Sequence, residues 1–285
     1  HTRFSTNTDS QPAMAQPFRQ MAHNGELNTD KKNRLSEAAI ARTKNRSIIS
    51  PVGQSDSARL DQTLSRRIHE DELDMIEAVV AMMPPAWEND PSVPQNVRDM
   101  LEYFSLYEAK NDGPAALIFG DGEVVGARLD RLGLRPLRSI ETDEYLCAMS
   151  EAGQIDFPAD TVISRDRVKS GGTLYYDHTR GRSFNTAETL EDLAGRKDYA
   201  AMLKEARINL ADIPVPTGGD AGADSDLNVH QRMVAYSLNQ ESLKLLMDPM
   251  LQNGAEKVSA MGYGYAINSL TDEEGGMAKY FSQRF

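Results

Sequence analysis

The feature that most constrains this chain is a change of hydrophobic period near residue 110. Before it, Leu60, Leu64 and Ile68 are spaced by four, as on one helix face. Leu73, Ile76, Val79, Val80 and Met83 make a second such stripe, with Asp71 as a candidate cap and Pro84-Pro85 as the stop. A third helix is predicted after Pro94, with Val97, Leu101, Phe104 and Tyr107 facing inward. After it, Ala115 to Phe119 is an unbroken apolar run, Gly120-Asp121-Gly122 is turn chemistry, and Val124 to Leu129 is the return strand of a hairpin. Further strands are predicted at Leu137 to Ile140, Tyr145 to Met149, Thr161 to Ile163 and Gly172 to Tyr176. Antiparallel strands beside paired helices define an α+β layered domain rather than a doubly wound one.

The flanks read differently. Residues 1–55 are rich in Asn, Thr, Gln and Arg and are predicted to be strands and long loops. Leu190 to Asn209 forms one or two helices. Pro214 to Asp226 is a Pro, Gly and Asp cluster, taken as a linker. The predicted organisation is therefore 1–213 as the main domain, 214–226 as the linker, and 227–285 as the start of another region, with helices near Gln231–Tyr236 and Gln240–Leu246. The missing initiator Met and the abrupt end at Phe285 read as a fragment.

A net charge of -12 argues against a general binder of nucleic acid or anionic membrane. No apolar run approaches the roughly 20 residues of a spanning helix, and no signal peptide is recognisable, so a cytoplasmic location is expected. The single cysteine, Cys147, cannot form an internal disulfide, a multi-cysteine zinc site or a cysteine-ligated iron–sulfur cluster.

Polar residues capable of chemistry concentrate early. Hydrolysing a carboxamide needs a nucleophile, donors for the oxyanion, and groups that grip the amino acid's carboxylate and ammonium. Arg3 has the planar fork for a carboxylate. Asn24-Gly25 offers a neutral amide donor and a backbone that permits close approach and unusual dihedrals. Asp56 could pair an ammonium, but in Ser55-Asp56-Ser57 it reads equally as a helix cap. His23 is a candidate base or a structural hydrogen-bonding residue. Singly, each has an ordinary structural explanation.

Together and in order, however, His1 to Thr8, Ala15 to Thr29, Ser55 to Ser57, Asp112 to Ala116 and Leu129 to Pro136 resemble the glutaminase domain of glutamate synthase large subunits. These are class II, N-terminal-nucleophile amidotransferases. The resemblance implies a four-layer αββα sandwich, incomplete at its N-terminus, followed by the opening of a central domain. It implies Arg3 for the glutamine carboxylate, Asn24 and Gly25 as oxyanion hole, and Asp56, with His23 beside it, for substrate binding. The implied parent releases ammonia from glutamine and adds it reductively to 2-oxoglutarate. FMN and an iron–sulfur cluster would belong to its other domains, with none in this span, and a small electron-transfer subunit is a possible partner. The family's N-terminal cysteine has no counterpart here, and Cys147, in a predicted strand, does not replace it. Losing a nucleophile costs on the order of a million-fold in rate, so the isolated chain is expected to be inactive, with a sheet edge left open. The alternative expectation is a non-catalytic glutamine-binding or interaction module completed by another polypeptide.

Overall fold

A computed structural model describes residues 11–214 and 227–255. Its contacts divide the chain into two units, 1–208 and 209–285. The first unit contains β1 (Met21–Gly25), α1 (Asp30–Thr43), α2 (Asp56–His69), α3 (Met75–Met82), α4 (Gln95–Tyr107), β2 (Ala115–Gly120) and β3 (Val124–Leu129). It continues through β4 (Arg138–Thr142), β5 (Leu146–Met149), β6 (Val162–Arg167), β7 (Thr173–Asp177), β8 (Arg182–Phe184), α5 (Thr186–Ala194) and α6 (Tyr199–Ala206).

The strands form two antiparallel sheets, one in the order β1-β2-β3-β7-β8 and a smaller one in the order β5-β4-β6. Alternation along β2 turns Leu117 and Phe119 toward α2, α3 and α4, where they join Leu60, Leu64, Val80, Met100 and Phe104 in the main core. On the other face Ala127 and Leu129 pack with Leu137 and Val168 and with Ala148 of the small sheet. The result is the layered α+β sandwich implied by the sequence, with helices outside the larger sheet and the smaller sheet behind it.

Three local expectations are corrected. α3 is capped by Asp74, which accepts from the Ile76 and Glu77 N–H groups, and not by Asp71. Asp71 instead pairs with Lys44 and Arg67. Residues 1–55 are not only strands and loops, because Asp30–Thr43 is a helix. Its buried residues are Asn33, Glu37 and Ala41, spaced by four, while Leu35 is exposed, so its inward stripe carries almost no hydrophobic signal. The strand begun at Val162 runs on to Arg167, and β8 lacks the alternation that would mark it.

Arg128 is fully buried in β3 and pairs with no carboxylate among the described residues. Its Nε donates to the Met83 carbonyl at 2.8 Å and its guanidinium also reaches Thr173, which ties the end of α3 to the sheet; burial pulls its pKa down to about 9.

In the second unit, α7 (Val229–Ala235) begins at a capping box made by Asn228 and Gln231. α8 (Gln240–Ser242) passes through a π turn into α9 (Asp248–Asn253), so this helical stretch runs past the predicted end at Leu246 to a left-handed Gly254. Among the described residues no helix is long and apolar enough to cross a membrane.

Candidate functional site

The four sequence motifs within the described residues, 15–29, 55–57, 112–116 and 129–136, meet at the end of β1. Among the described residues β1 is an edge strand, and its register pairs Met21 with Phe119 and Gly25 with Ala115. The Gly120 N–H donates to Gln20 O, and the Glu26 N–H to Pro114 O, at 2.9 and 2.8 Å. Antiparallel alternation then turns the N–H groups of Met21, His23 and Gly25 away from β2. The first two are taken by side chains, Met21 by Asp61 Oδ1 at 3.2 Å and His23 by Gln16 Oε1 at 2.6 Å. No described residue accepts from the third, the Gly25 N–H. Asn24 points to the opposite face from His23 and is exposed, with its amide unengaged by any described residue.

Gly25 is required for space. A Cβ there would lie 1.8 Å from Pro114 O and 2.7 Å from His23 Nε2. Its φ is not among the positive ones, so close approach and not an unusual dihedral explains the residue.

Asp56 is not the cap of α2. Ser55 is, accepting from the Ala58 N–H at 3.0 Å. The half-buried Asp56 carboxylate accepts from Leu27 N–H at 2.9 Å through Oδ2 and from Ser57 N–H at 2.7 Å through Oδ1. It thereby fastens the start of α2 to the turn after β1. The Ser57 hydroxyl donates to Asp56 Oδ1 at 3.2 Å and lies 2.7 Å from His23 Nδ1. Gln16 completes the cradle, its Nε2 donating to His23 O at 2.9 Å.

His23 is buried, and its Nε2 has no hydrogen-bond partner among the described residues. Burial lowers its pKa from 6.5 to about 4. Asp56 and the Pro114 carbonyl oppose the shift, while the charges of Arg135 and Arg59 reinforce it. The imidazole is therefore neutral at pH 7, which favours a positioning role over an ionised one. Because the folded pKa lies below the unfolded one, the associated stability is complete above pH 6.5 and is lost as the pH falls toward 4. The expected loss is about 3 kcal/mol. Urea titrations across this window should show a flatter profile for His23→Gln than for the parent, and an identical slope in both would refute the assignment.

The remaining motifs support this corner. Asp112 accepts from Arg131 Nη2 at 2.9 Å, and its carbonyl accepts from Asn28 N–H at 2.8 Å. The buried Asp130 carboxylate takes the Ala115, Leu132 and Gly133 N–H groups at 2.9, 2.9 and 2.8 Å, which holds the 129–136 loop to the start of β2. Ser57, Gln16, Pro114 and Arg135 were not among the residues singled out as acting here. Their signal is present only as motif membership, since which side chains meet His23 is decided by the folded arrangement of separate elements and not by a sequence period. Arg3 lies outside the described residues. Cys147 sits half-buried in β5 of the smaller sheet.

Comparison with known proteins adds the family. Residues 1–202 match the family described as glutamine amidotransferases class-II, and residues 231–285 match the glutamate synthase central domain. The chain belongs to the class-II glutamine amidotransferases. Along its whole length it is similar to glutamate synthases: 31% identical to the NADH enzyme of Schizosaccharomyces pombe, 30% to ferredoxin-dependent glutamate synthase 2 of Synechocystis, and 31% to the NADPH large chain of Azospirillum brasilense. It spans 14%, 19% and 20% of those relatives. Among solved structures, a glutamine phosphoribosylpyrophosphate amidotransferase from B. subtilis, complexed with ADP and GMP, is 18% identical, covering 58% of this chain and 28% of its own at a TM-score of 0.35.

Proposed function

We propose that this chain is the glutamine-binding part of a glutamate synthase, releasing ammonia from the glutamine carboxamide for the reductive synthesis of glutamate from 2-oxoglutarate. The observation that carries the reading is the outward Gly25 N–H beside the unengaged Asn24 amide. It lies at the junction of all the described motifs, in a chain similar to glutamate synthases from end to end. Asn24 and Gly25 supply the oxyanion donors, Arg3 the carboxylate grip and Asp56 the ammonium contact, with His23 holding the strand end in place. Asp56 Oδ2 accepts only the Leu27 N–H and keeps a second acceptor site, so an ammonium can be added there without breaking a bond.

We place the nucleophile outside these 285 residues, since Cys147 lies in the other sheet. The parent's flavin and iron–sulfur cluster are likewise placed in other regions, because a cluster takes several thiolates and this chain has one cysteine. The division into glutaminase part, 214–226 linker and central-region start, a cytoplasmic location, and contact with a small electron-transfer subunit belong to the same proposal.

The test is Asn24→Ala in the longer protein. Glutaminase kcat is expected to fall ~10²–10³-fold with KM little changed, the pattern of an interaction made mainly in the transition state. Wild-type turnover in that variant would remove Asn24 from the oxyanion hole. A second reading, a non-catalytic module, is favoured if the longer protein binds glutamine but never hydrolyses it.

A further inference from the structure

We propose that the small cavity between α1, α2 and the loop at Ser50 binds a monovalent anion of halide size. The cavity has a volume of about 20 Å³ and its wall includes Arg34, Glu37, Arg59 and Arg66. Arg59 is 3% exposed; its Nε donates to Asp30 Oδ1 at 2.9 Å, and its Nη1 and Nη2 have no acceptor among the described residues. Arg66 contributes a further buried donor, Nε, also without an acceptor. Buried charged donors left unpaired carry a full desolvation penalty, so three such N–H-bearing atoms beside one cavity call for an acceptor inside it.

The charges select the class of acceptor. Asp30 is shared between Arg59 and Arg34, Glu70 between Arg66 and Arg46, and Glu37 is paired with Arg67. Three arginines, Arg34, Arg59 and Arg66, thus line the space against one carboxylate, Glu37, that is already committed. Water would accept the hydrogen bonds and leave the charge, whereas an anion answers both. The volume is of the order of the ~10–15 Å³ that one water needs, a space suited to a small ion such as a halide. Arg59 lies one turn after Asp56 on α2, so the bound ion fastens the turn that carries Asp56.

The test is thermal unfolding of the full 285-residue chain in sodium chloride or bromide against sodium gluconate at equal ionic strength, gluconate being too large to enter. A saturable rise in Tm of about 2–4 °C is expected in halide, and none in Arg59→Gln. A crystal grown in bromide is expected to show an anomalous peak within hydrogen-bond distance of Arg59 Nη1 and Nη2. If Arg59→Gln does not fold, the bromide map of the parent chain decides alone. Equal Tm in halide and gluconate, or a water at this place in the bromide map, overturns the proposal.

Discussion

Gly25→Ala is expected to lower stability by about 3 kcal/mol and to cut glutaminase turnover in the longer protein by ~10²-fold or more. The added Cβ would overlap Pro114 O at 1.8 Å, a backbone atom with little freedom to move. That carbonyl accepts the Glu26 N–H, and the next residue, Ala115, is held through its own N–H by buried Asp130. The strand end must therefore shift, carrying with it the outward Gly25 N–H and the His23 ring, whose Nε2 the Cβ would approach to 2.7 Å. Overpacking would cost stability and displacement of the donor would cost rate, so both urea midpoint and turnover should change. A variant with parental values of both would mean that Pro114 does not abut Gly25.

The second large effect is expected at Arg67. Its side chain is 3% exposed and its guanidinium gathers Glu108 of the segment after α4, Glu37 of α1 and Asp71 of the turn after α2, the last at 3.2 Å. Burial by itself would lower the Arg67 pKa, but the carboxylates hold it above its ordinary value; burial pushes the Glu108 carboxyl up against the pull of Arg67. Arg67→Met leaves Glu108, with a side chain 2% exposed, without its cation, and unfolding free energy is expected to drop by about 3–5 kcal/mol. The double variant Arg67→Met with Glu108→Leu should recover part of that loss, because it removes the stranded charge as well. Urea unfolding measures both, and a single-variant loss under about 1 kcal/mol would show that the cluster is not desolvated as described.

What could be read in advance follows the physical origin of each signal. α2, α3 and α4 were legible because each puts apolar side chains inward at helical spacing, and the β2–β3 hairpin because Asp121 and Gly122 are turn residues between apolar runs. α1 was not, since it docks through Asn33 and Glu37, whose partners are the carbonyls of Ala109 and Lys110 and the distant Arg67. Arg128 reads in the sequence as a hairpin residue and proves to be a fully buried charge, for the same reason.

The same division runs through the candidate site. By itself, the sequence determined the α+β class, the order of the motifs and the identity of Asn24, Gly25 and Asp56 as residues to watch, because apolar periodicity and residue chemistry are local properties. Only the tertiary structure decided that Ser55 and not Asp56 caps α2, that Asp56 is tied to Leu27 and Ser57, that His23 is buried and neutral, and that the Gly25 N–H faces outward. Desolvation, hydrogen-bond partnership and strand register depend on groups brought together from separate parts of the chain, and those partners exist only once it has folded.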